Sequence, residues 1–297
     1  MREARRFDWQ TAAVLVLPPL FWAGNVIVAR AARGDVPPVT LSFWRWVIAL
    51  LCLLPFAWPY WRRDWARYRE NVLLIFGVSF CGVVAFSALV YAGLHYTTST
   101  NALLLNSCIP VMIMLIGAVF YRQRLGVMQM FGLVVSFCGV LLIILHGEWS
   151  GLLSLSFNRG DMLVFVAVMC WAFYTLWMKQ MPAAINRTGL TALMIVIGLL
   201  FLLPMWLWER STGALPVWNA DSLLAVVYVG LFPSVAAYLL YTQAVARVGP
   251  VRAGLSIHLI PVFGTLLAVG WLGESLHGYH VAGIAAIFAG IGLSGRR

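Results

Sequence analysis

Residues 188–208 read TGLTALMIVIGLLFLLPMWLW, a stretch with no charged side chain. Runs of this kind recur from one end of the chain to the other, and they leave few folds open. A bilayer core about 30 Å thick needs about 20 apolar residues per crossing helix. Within it every backbone N–H and C=O must find a partner in the protein, so only helices or a closed barrel can cross. The runs are too long and too continuous for barrel strands, which alternate over about 10 residues. The chain is therefore expected to be an all-α polytopic membrane protein. Composition agrees: 62% of its 297 residues are hydrophobic and 10% are charged, where soluble domains carry about 25% charged residues.

Ten candidate spans can be drawn, over residues 11–30, 39–59, 71–93, 99–121, 126–146, 160–180, 188–208, 221–244, 252–272 and 278–294. Short connections separate them, such as RGDVPP at 33–38. The opening MREARRFDWQ leads into the first run without a small-residue cleavage site, so a retained first helix is expected rather than a signal peptide. Basic residues in short loops set orientation. Arg2, Arg5, Arg6, Arg62, Arg63, Arg67, Arg69, Arg122, Arg124, Lys179, Arg187, Arg247, Arg252, Arg296 and Arg297 fall on one side. Only Arg30, Arg33, Arg159 and Arg210 fall on the other. The bias places both termini in the cytoplasm. It also accounts for the net charge of +10 without nucleic acid, because no basic domain exists to hold a phosphate backbone.

The chain also repeats itself. Trp22-Ala23 returns as Trp171-Ala172, and Leu53-Leu54-Pro55 returns as Leu202-Leu203-Pro204. Ile109-Pro110-Val111 returns as Ile260-Pro261-Val262, and Gly132 and Gly139 return as Gly283 and Gly290. These offsets are 149 or 151 residues throughout. Two halves follow, 1–149 and 150–297, each of five spans. Five is odd, so the halves must lie in the membrane with opposite orientation. The loops agree: four arginines follow the second span, whereas only Arg210 follows the seventh. Ten helices in two inverted five-helix repeats around a central cavity are the architecture of a secondary transporter, with substrate held near the midplane.

Three stretches carry a family resemblance: FWAGNVIVAR near the start, RGDMLVFVAVMCWAFYTLWMK opening the second half, and AYLLYTQAVARVGPVRAGLSIHLIPVFGTLLAVGWLGESL near the end. The chain resembles the drug/metabolite transporter superfamily, EamA type, over essentially its whole length. The most specific element is Leu259-Ile260-Pro261-Val262 followed by Leu272-Gly273-Glu274. The first half departs there, with Tyr121-Arg122-Gln123 where Gly-Glu is usual. The resemblance implies outward transport of amino acids and other small metabolites, and the aromatic-rich spans point within it to the aromatic amino acid exporter group.

Polar groups inside a membrane cost free energy and are functional candidates by default. Trp22 and Asn25 share a face of the first span, and Trp171 and Tyr174 repeat that spacing in the sixth. Both pairs are expected to face the pseudo-two-fold axis and line the site. Ser79, Tyr238 and Tyr241 are further wall candidates. Asn101 and Asn106 diverge by about 140° on one helix, so both cannot face one narrow cavity; Asn101 reads as a cap or a gate residue. His258, at the position matching Ser107, is a candidate for substrate or proton. Substrate-binding residues are thus expected among Trp22, Asn25, Ser79, Asn101, Trp171, Tyr174, Tyr238 and His258. Arg45 is expected to snorkel to the interface, where its neighbours Trp44 and Trp46 fit an interfacial belt, with a substrate carboxylate as its alternative partner. Most other tryptophans, including Trp149, Trp206, Trp218 and Trp271, are expected in interfacial belts.

No acidic residue lies mid-span, so no carboxylate proton relay is visible; Asp161 reads as a helix cap. No P-loop, HExxH or Gly-x-Ser-x-Gly occurs, and Cys52, Cys81, Cys108, Cys138 and Cys170 show no CxxC spacing. Neither metal nor cofactor is expected. The expected function is export of aromatic or large apolar amino acids by alternating access in a bacterial-type inner membrane. Amphipathic cations are the alternative substrates, and an intramembrane enzyme using His258 or a non-transporting scaffold are the rival classes. The expected partners are the small-molecule substrate and the lipid bilayer, in a monomer or weak homodimer. Orientation is tested with reporters: a green fluorescent protein fused after Arg297 should fluoresce, and alkaline phosphatase fused there should be inactive. The opposite pattern would invert the topology.

Overall fold

The computed structural model describes residues 8–32, 34–94, 96–123, 126–148, 158–273 and 275–295. Among them it is all-helical. The first span is α1 (Trp9–Ala32) and the second is α2 (Pro38–Glu70). The third joins α3 (Val72–Ser79), a π-helical segment (Phe80–Ala85) and α4 (Phe86–Leu94). Then come α5 (Ser99–Ser107), α6 (Ile109–Tyr121) and α7 (Val127–Ile144). The second half holds α8 (Arg159–Gln180) and α9 (Arg187–Ser211). Next, α10 (Ala220–Val229), a second π-helical segment (Gly230–Ala236) and α11 (Ala237–Val248) form one span. The last elements are α12 (Pro250–Leu255), a 3₁₀ turn (Ser256–His258), α13 (Leu259–Leu272) and α14 (Gly278–Gly295).

Local chemistry explains many of these starts. Asn158, Asn186 and Asn219 cap α8, α9 and α10, their side chains accepting backbone N–H bonds of the first turn. Thr98 does the same for α5. Pro38 and Pro250 stand at first helical positions, where the missing N–H has no helical acceptor anyway.

Among the described residues, eight helices, counting the π-containing and 3₁₀-containing ones as continuous, are long and apolar enough to cross a membrane. The fourth expected span is a broken pair, α5 and α6, bent by 40° at Cys108. The tenth, within Gly278–Ser294, is shorter than the rest. The protein is thus a multi-pass membrane protein with fewer unbroken full-length spans than the ten drawn from sequence. Large apolar side chains such as Leu73, Val119, Phe120 and Leu200 stand exposed on the outside, as lipid contact requires.

Equivalent helices of the two halves pack antiparallel. At the end where α1 finishes, both carboxylate oxygens of Glu209 on α9 are taken by α2: Val39 N donates at 2.9 Å, Thr40 N at 2.7 Å and Thr40 Oγ1 at 2.7 Å. At the opposite end, Trp61 Nε1 donates to Gly189 O at 2.8 Å, and Gly189 lies against Tyr60. The repeat offset carries Thr40 onto Gly189 and Tyr60 onto Glu209, so one contact is the image of the other. The helices α7 and α14 show the same exchange: Gly132 lies on Gly290, and Gly139 lies on Gly283. Backbones touch because none of the four carries a side chain, the close approach typical of membrane helix pairs. Asp64, buried at the end of α2, accepts Arg63 Nε at 3.0 Å, Arg67 Nη1 at 2.8 Å and Asn186 N at 3.0 Å. It ties α2 to the start of α9 on the face rich in arginine.

A Cβ added at Gly139 would stand 2.7 Å from Gly283 O and 2.9 Å from Ile287 N, both backbone atoms that cannot step aside. Gly139→Ala is expected to destabilise the protein by about 1–3 kcal/mol, the range for overpacking. Gly292→Ala, which meets open space, should leave the melting temperature in detergent unchanged. Equal melting of the two variants would contradict the α7–α14 packing.

Candidate substrate site

The symmetry-related Trp22 and Trp171 touch each other. Their rings lie 5.4 Å apart at 83°, edge to face. Two residues exchanged by a two-fold axis can touch only close to that axis, so the pair lies on the axis between the halves. Around it, Trp22 meets Tyr241 at 5.4 Å, and Trp171 meets Phe86 at 4.8 Å, Tyr174 at 5.1 Å and Tyr238 at 5.8 Å. Trp46 closes the group with an edge on Tyr238 at 5.1 Å. Five elements supply these rings: α1, α2, α4, α8 and α11. Trp46, Trp171, Tyr174, Tyr238 and Tyr241 are buried, and Trp22 is half-buried. In this conformation the expected central cavity is closed by rings in mutual contact. Such edge-to-face pairs contribute about 0.5–1.5 kcal/mol each beyond burial.

The π-helical segments stand beside this cluster. A π turn adds a residue to the helix and disturbs its hydrogen-bond ladder, and such turns are frequent at functional sites. Tyr238 Oη donates to Gly82 O at 2.7 Å. Trp22 Nε1 donates to Pro233 O at 3.2 Å. Gly82 and Pro233 lie 151 positions apart, the offset of the repeat, so each half presents one π carbonyl to an aromatic donor from the other half. Gly82 also leaves room for the Tyr174 ring, which an added Cβ would meet at 2.6 Å. Thr175 Oγ1 and Tyr241 Oη share a hydrogen bond at 3.0 Å. Four buried polar atoms here find no hydrogen-bond partner among the described residues: Tyr174 Oη, Trp46 Nε1, Trp171 Nε1 and Asn25 Oδ1.

Trp22, Trp171, Tyr174 and Tyr238 are therefore together, with Asn25 one turn along α1. The other sequence candidates stand elsewhere. Ser79 is buried just before the first π turn and donates to its own helix at Ile75 O, 2.7 Å away. Asn101 lies in the first turn of α5, where its amide donates to Asp161 Oδ1 at 3.3 Å and Oδ2 at 3.4 Å. Thr97 Oγ1 donates to Asp161 as well, at 2.5 Å. Asp161, expected as the cap, is instead the partner of the true cap, Asn158, at the third position of the first turn, in a reciprocal capping box. His258 sits in the 3₁₀ turn with both ring nitrogens engaged, Nδ1 with Ser136 Oγ at 2.7 Å and Nε2 with Ser107 O at 3.0 Å. A carbonyl only accepts, so Nε2 carries the proton and Nδ1 accepts from Ser136. Ser107 is the repeat mate of His258, so this bond too lies near the axis, in the kink of the fourth span.

Sequence reasoning assigned Trp46 to an interfacial belt. It is fully buried against Tyr238 instead. Pro233, which lacks the N–H that a helix needs, marks the second π turn, and the repeat offset pairs it with Gly82 in the first. Trp149 and Glu274 lie outside the described residues. At the departure from Gly-Glu, Tyr121 Oη accepts from Trp177 Nε1 at 2.7 Å. Arg122 there has φ 49°, a left-handed backbone like its mate Gly273 at φ 70°, which a side chain tolerates less well than glycine does.

The sequence profile of the EamA-like transporter family matches the chain twice, over residues 10–145 and 158–296. The chain belongs to the EamA-like transporter family. An uncharacterized transporter of Archaeoglobus fulgidus is 29% identical over 287 residues, covering 96% of this chain and 97% of its own. A probable terminal-alkyne amino-acid exporter of Streptantibioticus cattleyicolor is 27% identical, with 95% and 92% covered. A probable amino-acid metabolite efflux pump of Salmonella typhimurium is 23% identical, with 94% and 92% covered. A crystal structure covering 95% of both chains superposes with a TM-score of 0.76 at 19% identity, which shows the EamA fold. The two profile matches fall one on each half, so each aromatic donor reaches from one family repeat into the π turn of the other.

Each donor-to-carbonyl bond can be removed singly. Tyr238→Phe and Trp22→Phe are each expected to lower stability, Tyr238→Phe by about 0.5–1.5 kcal/mol for the lost hydrogen bond. Trp22→Phe should cost more, because it also removes ring area from the cluster. Thermal melts of the purified variants in one detergent check this; a Tyr238→Phe protein as stable as the parent would mean the Gly82 carbonyl is satisfied another way.

Proposed function

We propose that this chain is a secondary transporter that exports small metabolites, and that aromatic or large apolar amino acids are its substrates. The observation that carries this reading is the cluster around Trp22 and Trp171. It lies on the axis between the halves, it is built by both, and it keeps buried polar atoms unpartnered beside aromatic faces. Aromatic rings offer stacking surface to an apolar side chain. Asn25 Oδ1 is an acceptor suited to an ammonium group, and Tyr174 Oη can donate or accept. Trp22, Asn25, Trp171, Tyr174 and Tyr238 form the substrate wall in this reading. Ser79, Asn101 and His258 support the surrounding helices.

Alternating access follows from the same arrangement. The rings now touch, so a solute can enter only when the halves part on one face. Inverted halves supply two equivalent ways of parting, one for each side of the membrane. The protein works in a bacterial-type inner membrane with both termini in the cytoplasm, needs no cofactor, and acts as a monomer or weak homodimer, since one chain already holds both halves. It is not an enzyme in this reading: the His258 of the rival proposal has both nitrogens occupied by Ser136 and Ser107. Amphipathic cations are the second reading, because aromatic boxes also hold cations.

The test is flux. Purified protein in liposomes is loaded separately with labelled tryptophan, phenylalanine, threonine and a lipophilic cation, with and without a pH gradient. Saturable movement of the aromatic amino acids, reduced tenfold or more by Trp171→Ala, is the expected outcome. Movement of the cation alone would replace the amino-acid reading by the second one. Unchanged flux in both Asn25→Ala and Tyr174→Phe would remove these residues from the wall.

A further inference from the structure

Arg45 does not snorkel. It is only 7% exposed, about 10 Å along α2 from its start at a rise of about 1.5 Å per residue. Its guanidinium carbon lies 4.7 Å from the centre of the Trp46 ring. Its Nε is buried without a hydrogen-bond partner, and no carboxylate pairs with it among the described residues. The buried acid at that end of α2, Glu209, has both oxygens taken by Val39 and Thr40. An uncompensated charge in a membrane interior is costly and marks function.

Its neighbours deepen the anomaly. Ser42 Oγ and Trp46 Nε1 are also buried and unpartnered, and Ser42 is 2% exposed. Residues 42, 45 and 46 share one face of α2, because positions three and four apart are helix neighbours. Arginine and tryptophan nitrogens only donate, and the serine hydroxyl donates readily. The set therefore offers three buried donors without a partner, Arg45 Nε, Trp46 Nε1 and Ser42 Oγ, of which only the serine hydroxyl can also accept. What satisfies it is an anion that only accepts, and a planar carboxylate matches the guanidinium fork. The location agrees with the proposed wall. Trp46 rests on Tyr238, and Arg45 lies one residue from it toward the face where α1 ends. Asn25 lies on the same side of Trp22. A solute with its apolar body on the rings would present its polar end at this level.

We infer that Ser42, Arg45 and Trp46 form a carboxylate site at the edge of the aromatic cluster, so that the transported solute must be an aromatic or apolar carboxylate. This rests on the transporter reading above and narrows it: the same unpaired guanidinium repels the amphipathic cations of the second reading.

The experiment uses the full-length protein in detergent and in liposomes. Binding of phenylalanine, 3-phenylpropionate, phenylalaninamide and phenethylamine is followed by tryptophan fluorescence. The parent protein should bind the two carboxylates at least tenfold more tightly than the amide or the amine. Arg45→Gln should lose that preference, with carboxylate affinity falling tenfold or more and amide affinity unchanged. Arg45→Lys should keep part of it. Because the charge is unpaired, ligand-free Arg45→Gln should melt at or above the parent temperature. A lower melting point, or failure to fold, would make the guanidinium a structural part and overturn the site, as would equal binding of phenethylamine and 3-phenylpropionate. Phenylalanine flux unaltered in Arg45→Gln would overturn the site and leave the transporter reading intact. Arg45-dependent binding of 3-phenylpropionate without flux of any amino acid would do the reverse.

Discussion

The carbonyls of Gly82 and Pro233 sit in a membrane interior where backbone groups cannot turn to water. Each lies in a π turn, and each is met by an aromatic donor from the opposite half, Tyr238 for Gly82 and Trp22 for Pro233. The consequence is mechanical. Each half completes the hydrogen bonding of the other, so parting the halves at this level breaks both bonds together. Hydrogen bonds of this kind are worth about 0.5–1.5 kcal/mol net, and leaving a buried acceptor unpaired costs about 1–3 kcal/mol. The closed arrangement is therefore held by a few interactions of small size. In the proposed function, a solute that offers donors and ring contacts in exchange opens it, which is the requirement for a transporter that must also release its load.

Much of this was legible in the sequence because symmetry is legible. A constant offset of 149 to 151 residues paired Trp22 with Trp171 before any coordinates, and equivalent residues on an axis must meet. The same offset pairs His258 with Ser107, and it makes the contact of Gly132 with Gly290 the image of that of Gly139 with Gly283. What was not legible was depth and rotation within a span. Trp46 and Arg45 stand seven or eight residues into a helix that runs to Glu70, and sequence alone did not show that they point into the protein rather than toward the interface. The first π turn holds no proline to mark it, whereas Pro233 lies inside the second. The bend at Cys108 comes just before Pro110, which lacks the N–H that a continuous helix needs, and the hydropathy reading drew ten spans where, among the described residues, the structure has eight full ones, a broken one and a short one.

The two halves are alike in backbone and unlike in chemistry. Trp22 and Trp171 are common to both walls, yet the mate of Tyr174 is Asn25, and the mate of Tyr238 at the 151-residue offset is Ser87. Hydroxyl-bearing rings therefore gather on the second half, while the buried guanidinium of Arg45 and the amide of Asn25 belong to the first. If the walls were identical, exchanging the conformations of the two halves would turn the state open to one side into its mirror, with equal free energy and equal affinity. Asymmetric walls remove that degeneracy. In the proposed alternating access, the two open states then differ in which polar groups face the solute, and a difference of about 1.4 kcal/mol in their free energies shifts the populations tenfold. Such a bias cannot pump on its own, since a passive carrier still equilibrates its substrate. It does decide which side the empty carrier faces at rest, and hence from which side a solute is first captured.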